Sequence, residues 1–478
     1  MLLSLILSPL IGAILIFFIN RSNFKLIRNL SLIWSLLIFN FSVYFLLMFD
    51  PIITKFQFIE RLEWLNFSNN HFILGIDGVS LLLILLTTLL TPICLILSWS
   101  LKNPFLIKEY TIIFLVLESI LIGVFSSLDL LVFYLLFEAV LIPMYFLIGI
   151  FGSRERKIRA SYLLFLYTLL SSIIMFIAIL FLYSKFGTTN YLLLYTTKLD
   201  PFAEKLCWLA FFSSFAVKMP LIPFHIWLPE AHCEAPTGGS VILAGILLKL
   251  GGYGFLRYSL ILFPEASAYF TPLIFILSIF GVIYASISTL QQVDLKKIIA
   301  YSSVGHMGLV TIGIFSSNIQ GIIGAIFLML GHGITSSALF LAIGLLYERY
   351  STRVIKYYGG LASTMPIFAT FFVIFNLANI GLPITSNFIG EFFVLVGSFS
   401  INSWVALMAG SGMVLGAGYS LWLVNRILFG NVKRYSITVF KDLTRKEFAL
   451  FCPLVFLTFF LGIYPDPTIN LIKASWFA

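Results

Sequence analysis

Apolar runs long enough to cross about 30 Å of hydrocarbon recur about fourteen times in this chain, which leaves it little choice of fold. They fall near 2–19, 28–48, 79–98, 111–127, 129–151, 160–183 and 206–222, then near 239–260, 270–290, 298–316, 320–347, 366–391, 402–428 and 450–470. Only 10% of the residues are charged and 60% are hydrophobic. A soluble domain carries roughly 25% charged residues, and a core this apolar could not be covered by so few. The expected fold is an all-α polytopic membrane protein of about fourteen transmembrane helices.

The loop charges test this count independently. Loops after odd-numbered runs hold twenty basic residues, among them Arg154, Arg156, Lys157, Arg159, Lys296 and Lys297. Loops after even-numbered runs hold six: Lys55, Arg61, Lys185, Lys198, Lys205 and Arg257. A wrong count would scramble this alternation. By the positive-inside rule the odd loops face the matrix or cytoplasm, and both termini lie opposite.

The same distribution argues against nucleic acid as a partner. The net charge of +9 sits in loops, with no basic run interleaved with stacking aromatics. Cys94, Cys207, Cys233 and Cys452 are scattered without metal-ligand spacing and read as small apolar residues. There is no GxGxxG opening a helix and no Walker A sequence. No cofactor is expected on this chain, so any electrons travel elsewhere. Leu2 to Ile19 lacks the marks of a cleaved signal or a transit peptide and reads as the first span. The 51 phenylalanines are compatible with an AT-rich organellar genome.

Prolines interrupt the pattern. Pro220, Pro223, Pro229 and Pro236 crowd the end of the seventh run, Pro383 sits inside the twelfth, and Pro143 follows Glu138 in the fifth. A proline inside a helix frees the carbonyl four residues earlier, here those of Ala216, Asn379 and Ala139. Such carbonyls survive at membrane depth only when buried in protein or lining a wet cavity. Broken helices in matching positions of two halves point to an ion path; a merely kinked packing helix is the alternative.

Ionisable residues stand inside the runs. Glu138 lies mid-span, Lys218 beside the seventh-run break, Lys249 deep in the eighth, and Glu391 at the close of the twelfth. Each mid-helix charge costs about 2.5–3.5 kcal/mol even on the lenient scale. Such residues pair structurally, reach an interface, or carry ions. Pairing Glu138 with Lys218 would lower the desolvation cost of both and make a switch, because each charge sets the proton affinity of the other. His306 and His332 are glycine-flanked imidazoles in adjacent runs, near Ser302, Ser303, Thr335, Ser336 and Ser337. Histidine suits a relay near neutral pH, and packing is the alternative. Glu118 is a further intramembrane carboxylate, equally readable as packing. Asp129 marks a span boundary, and Asp77 caps the third span. His225, Glu230, His232 and Glu234 crowd the proline-rich loop as a proton entrance or a packed polar loop. Asn66-Phe67-Ser68 matches a glycosylation pattern and is discounted.

Residues 223–237 read PFHIWLPEAHCEAPT and continue through GSVILAGILLKLG at 239–251. This stretch resembles the central signature of the antiporter-like membrane subunits of respiratory complex I, in their subunit-4 form. GIDGVS at 75–80, FEAVLIPM at 137–144, GSRER at 152–156, DLKK at 294–297, YSS at 301–303, GLP at 381–383 and NFIGE at 387–391 agree in order. The Ala235-Pro236-Thr237 form resembles the mitochondrial version.

The resemblance implies two inverted five-helix bundles with helices 7 and 12 broken. Residues 1–110 would be the first three helices, 111–260 the first bundle, 261–430 the second, and 431–478 a loop and last helix. It implies a proton-translocating subunit of NADH:ubiquinone reductase in the mitochondrial inner membrane, with other membrane-arm subunits and lipids as partners. Glu138 and Lys218 match the modulating ion pair, Lys249 the central carrier, His306 and His332 the relay, and Glu391 the exit residue. Two positions depart from the family pattern: Ile384 where glycine is usual, and Gly305 where serine is common. A cation/proton antiporter subunit and a purely architectural subunit are the rival readings.

Overall fold

A computed structural model describes residues 1–65, 70–100, 103–432 and 440–476. The Asn66 pattern and the loop cations Lys102, Lys433 and Arg434 lie outside the described residues. Each apolar run closes its backbone hydrogen bonds within a helix, as hydrocarbon demands. The first four spans are α1 (Leu2–Phe18), α2 (Phe24–Met48), α3 (Gly78–Leu97) and α4 (Ile107–Ser126). The fifth divides at Val140 into α5 (Leu130–Ala139) and α6 (Leu141–Phe151). The sixth is α7 (Lys157–Phe186), followed by the single turn α8 (Tyr191–Leu194). The seventh is broken into α9 (Pro201–Lys218) and α10 (Trp227–Glu234). The eighth strings together α11 (Thr237–Ile242), α12 (Leu248–Gly254) and α13 (Leu260–Leu262) through π-helical turns at Leu243–Leu247 and Phe255–Ser259.

Spans nine to eleven are α14 (Pro264–Gln291), α15 (Leu295–Phe315) and α16 (Ile319–Tyr350). After the short α17 (Leu361–Thr364), the twelfth span is broken into α18 (Pro366–Ile380) and α19 (Ser386–Phe399). Then come α20 (Ser403–Leu428), α21 (Arg445–Ile463) and α22 (Asp466–Trp476). Among the described residues ten helical stretches, counting α5 with α6 and α11 to α13 as one each, are long and apolar enough to cross a membrane by length and composition. The interrupted helix is the fourth of five in spans four to eight and again in spans nine to thirteen. Because five is odd, the second set enters from the opposite face and the repeat is inverted.

Three features differ from the sequence expectation. The segment between α2 and α3 folds as an antiparallel hairpin, β1 (Gln57–Leu65) with β2 (Asn70–Ile76), rather than as an open loop. The twelfth span runs on to Phe399, so Glu391 lies inside its second half and does not close it. The last span stops at Ile463, where Pro465 ends it, and α22 follows as a separate helix packed on α3.

Side-chain caps place several helix starts. Asp77 accepts from Ser80 N in a capping box at α3, as its sequence position suggests. Asp129, Asp294 and Asn318 cap α5, α15 and α16. The centre of the molecule is α16, buried from Gly321 to Leu346. Around it, α7 and α20 each turn an apolar flank outward, including Leu170, Ile177, Leu407 and Val414, as lipid-facing helices do. Lipid gives helices no hydrophobic drive to associate, so close packing must hold them. The α16–α19 contact shows how: a Cβ on Gly390 would stand 2.7 Å from the Leu328 backbone, and one on Gly324 would stand 2.6 Å from Val394 N.

Candidate proton relay

Lys249 begins the turn that follows the first π-helical segment. A π turn shifts backbone pairing by one residue, and here the Lys249 ammonium itself donates to the carbonyl of Ala244 at 2.5 Å. Its other partner is Nδ1 of His332, at 2.8 Å on α16. Neither partner is an anion, and the side chain is fully buried. Of these two hydrogen-bond partners, the imidazole is the one able to take its proton.

From His332 the line continues. The His332 and His306 rings lie 5.4 Å apart between centroids and tilted by 47°. His306 Nδ1 then meets Glu391 Oε1 at 3.3 Å, with both side chains buried. Four of the six candidate residues therefore form one file across α12, α16, α15 and α19. A cavity of about 20 Å³ flanks its far end, lined by Ser286, Ser302, His306, Asn379, Glu391 and Tyr419. That is room for about one water molecule. The Glu391 carboxylate also occupies the place a side chain on Gly381 would take, and Gly381 has φ +80°.

The neighbouring hydroxyls are otherwise engaged. Ser336 donates to the His332 carbonyl, Ser337 to that of Gly333, and Ser302 to that of Ile299. They back-bond to their own helices, and His332 Nε2 and both ring nitrogens of His306 are buried without a hydrogen-bond partner among the described residues. Gly305 leaves space beside His306: a Cβ there would find Ser286 Oγ 3.9 Å away.

Glu138 and Lys218 are not part of this file. No ion pair within 4 Å joins them among the described residues. Lys218 lies over the Phe137 ring, 4.4 Å from its centroid, a favourable seat for a desolvated cation. Both Glu138 oxygens are buried without a hydrogen-bond partner among the described residues. The carbonyl of Ala216, expected to be freed by Pro220, instead accepts from Leu221 N at 2.9 Å. Glu118, fully buried, accepts from Thr91 at 2.9 Å.

Sequence reasoning missed two charge clusters. Arg257, counted above as a loop cation, lies inside the eighth span and pairs with Asp77 at 2.6 Å. On the face of the basic loops, Arg353 is buried against Glu234 at 3.3 Å and Asp294 at 3.5 Å. Beside it, Lys296 donates to the Ala235 carbonyl at 2.8 Å, and Lys297 meets Glu230 at 2.9 Å. His225 faces Tyr284 and Tyr301, while His232 stacks on Phe340 at 4.4 Å. Only the crowding of charges around the proline-rich loop hinted at this second cluster.

Comparison with known proteins places this geometry in context. Residues 127–416 match the family model described as NADH:quinone oxidoreductase/Mrp antiporter, TM. NADH-ubiquinone oxidoreductase chain 4 of Marchantia polymorpha is 55% identical over 98% of this chain and 95% of its own length. NADH-quinone oxidoreductase subunit M of Rhodobacter capsulatus is 49% identical over 89% of this chain and 85% of its own. A chain in the structure of respiratory complex I from Thermus thermophilus with bound NADH superposes with a TM-score of 0.89. It is 30% identical and covers 99% of this chain and 98% of that one. A chain of the Mrp complex from Dietzia, 20% identical, shares the fold at a TM-score of 0.85, covering 98% of this chain and 96% of its own.

Proposed function

Because this chain belongs to the NADH:quinone oxidoreductase/Mrp antiporter transmembrane family, we propose that it moves protons in the membrane arm of respiratory complex I through the Lys249–His332–His306–Glu391 file. The observation that carries this reading is the file of buried side chains that runs from a lysine without a carboxylate partner among the described residues, past two neighbouring imidazoles, to a buried carboxylate. Lys249 loads from the side of the basic loops and passes its proton to His332 Nδ1. His306 hands a proton on to Glu391, which releases it toward the opposite face. Glu138 and Lys218 modulate the loading. Separated by more than ion-pair distance, they would interact through the low-dielectric interior, where charges are felt over longer range than in water. Quinone reduction elsewhere in the complex would perturb that pair through neighbouring subunits.

The chain serves as a subunit of H+-translocating NADH:ubiquinone reductase, beside other antiporter-like subunits and lipids. It carries no electron-transfer site and no cofactor of its own. No cluster of three metal-ligating side chains occurs among its described residues. It sits in the mitochondrial inner membrane with both termini on the intermembrane-space side. Residues 111–260 and 261–430 form its two functional halves.

A proton driven against about 100 mV must gain some 2.3 kcal/mol, which a shift of roughly two pKa units, at about 1.36 kcal/mol each, set by the charge states of Glu138 and Lys218 would supply. The test is proton pumping per NADH oxidised in membranes carrying Lys249→Met, with assembly followed in parallel. Retained assembly with sharply reduced pumping is expected. Normal pumping in an assembled complex would make this an architectural subunit.

A further inference from the structure

The eighth span carries charge that the relay leaves unused. Lys249, Tyr253 and Arg257 recur at four-residue intervals and so follow one side of the helix. Arg257 Nε donates to Tyr253 Oη at 3.4 Å, and Tyr253 Oη donates to the carbonyl of Phe125 at 3.0 Å. The guanidinium then meets Asp77 at 2.6 Å, each side chain only 5% exposed. It also lies over Phe56, 4.7 Å from that ring's centroid. Beyond the pair opens a cavity of about 560 Å³, lined by Lys55, Asp77, Tyr191, Tyr195 and Arg257 among others. Eight residues of helix put Arg257 only about 12 Å from Lys249 along the axis.

A proton carrier this close to an open cavity invites a short circuit, since a tyrosine hydroxyl can both donate and accept. Arginine closes such a route well. It holds its charge and does not give up its proton, and a fixed cation in a narrow path repels protons and other cations. The pair also suits its place, with Asp77 capping the N-terminus of α3 and Arg257 near the C-terminus of the eighth span. We propose that Arg257, held by Asp77, is an electrostatic seal. It bars protons on the cavity side from reaching Lys249 through Tyr253, so that Lys249 exchanges with that face only by way of His332. The proposal rests on Lys249 being a proton carrier.

The complex carrying Arg257→Gln, purified and placed in liposomes without NADH, is given a pH gradient, and its decay is followed with a pH-sensitive dye. The leak should rise several-fold over the parent. Protons pumped per NADH should fall while NADH oxidation continues. Adding Lys249→Met to Arg257→Gln should abolish the extra leak, and Arg257→Lys, whose ammonium can give up its proton, should restore the seal only in part. A parental leak rate in an assembled Arg257→Gln complex would overturn the proposal, as would a leak that survives Lys249→Met. If Arg257→Gln does not assemble, Asp77→Asn keeps the helix cap while freeing the guanidinium. It should leak measurably, and a tight Asp77→Asn complex would overturn the seal. Normal pumping by Lys249→Met alone would instead remove the carrier reading on which the seal depends.

Discussion

In the proposed relay Lys249 and His332 act in series, so their substitutions should not add. His332→Ala leaves the ammonium with only the Ala244 carbonyl, and pumping should fall about as far as in Lys249→Met. The double variant should be no worse than either single one, because groups that work as a unit fail together. A double variant clearly below both singles, measured as protons per NADH, would mean two parallel routes. Ile384 poses a different residue-scale question. It holds φ +82° and is 58% exposed, so it bears the left-handed penalty of about 1–2 kcal/mol with little packing in return. Glycine, usual in the family here, should stabilise the chain by about 1 kcal/mol after its own entropy cost. Longer survival of the Ile384→Gly complex on heating, with pumping unchanged, would confirm it. At this scale the buried charges of the proposed relay stood out in the sequence because charge in hydrocarbon is costly wherever it stands. What stayed hidden was distance. Glu138 and Lys218 look like partners in sequence, yet no ion pair within 4 Å joins them among the described residues. Arg257 looks like a loop cation until the second π turn, Phe255–Ser259, carries the eighth helix past it.

The broken helices were legible from Pro220 and Pro383, because a proline's effect on a helix is local. The hairpin after α2 and the full length of α19 were not, since the first depends on strand pairing and the second on where a half-helix finds its neighbours. The α16–α19 contact explains how a broken helix still holds its carboxylate in place. Gly390 precedes Glu391 and lies against the Leu328 backbone, which cannot swing aside as a side chain would. Gly390→Ala should therefore push α19 off α16 and lengthen the 3.3 Å contact between Glu391 and His306. Pumping should fall several-fold although no titratable group has changed. Gly305→Ser makes the contrast. Its Cβ has room, and the change should leave pumping intact or improve it. Equal outcomes for the two variants, compared at matched assembly, would show that helix separation does not govern the relay.

Across the whole molecule the proposed relay joins two halves of the fold, since Lys249 belongs to the eighth span and Glu391 to the twelfth. A file spanning both works only if they keep their register, and Arg353 is built to hold it. This buried guanidinium lies in the connection between α16 and α17. It bonds the Cys233 carbonyl and Glu234 at the end of α10, and also approaches Asp294 at the start of α15. It thus ties the broken helix of the first half to two elements of the second. Removing one partner of a buried ion pair costs about 3–5 kcal/mol, because the others are left charged and unpaired. Arg353→Met should therefore cut the amount of assembled complex several-fold on a native gel, while the complexes that do form still pump a near-normal number of protons per NADH. Lys297→Met removes a pair only about one-third exposed on either side and worth at most about 1 kcal/mol, so assembly should barely change. If Arg353→Met instead assembled normally and lost pumping, the cluster around Glu234 would be part of the proton path into Lys249, and the two halves would be held together by packing alone.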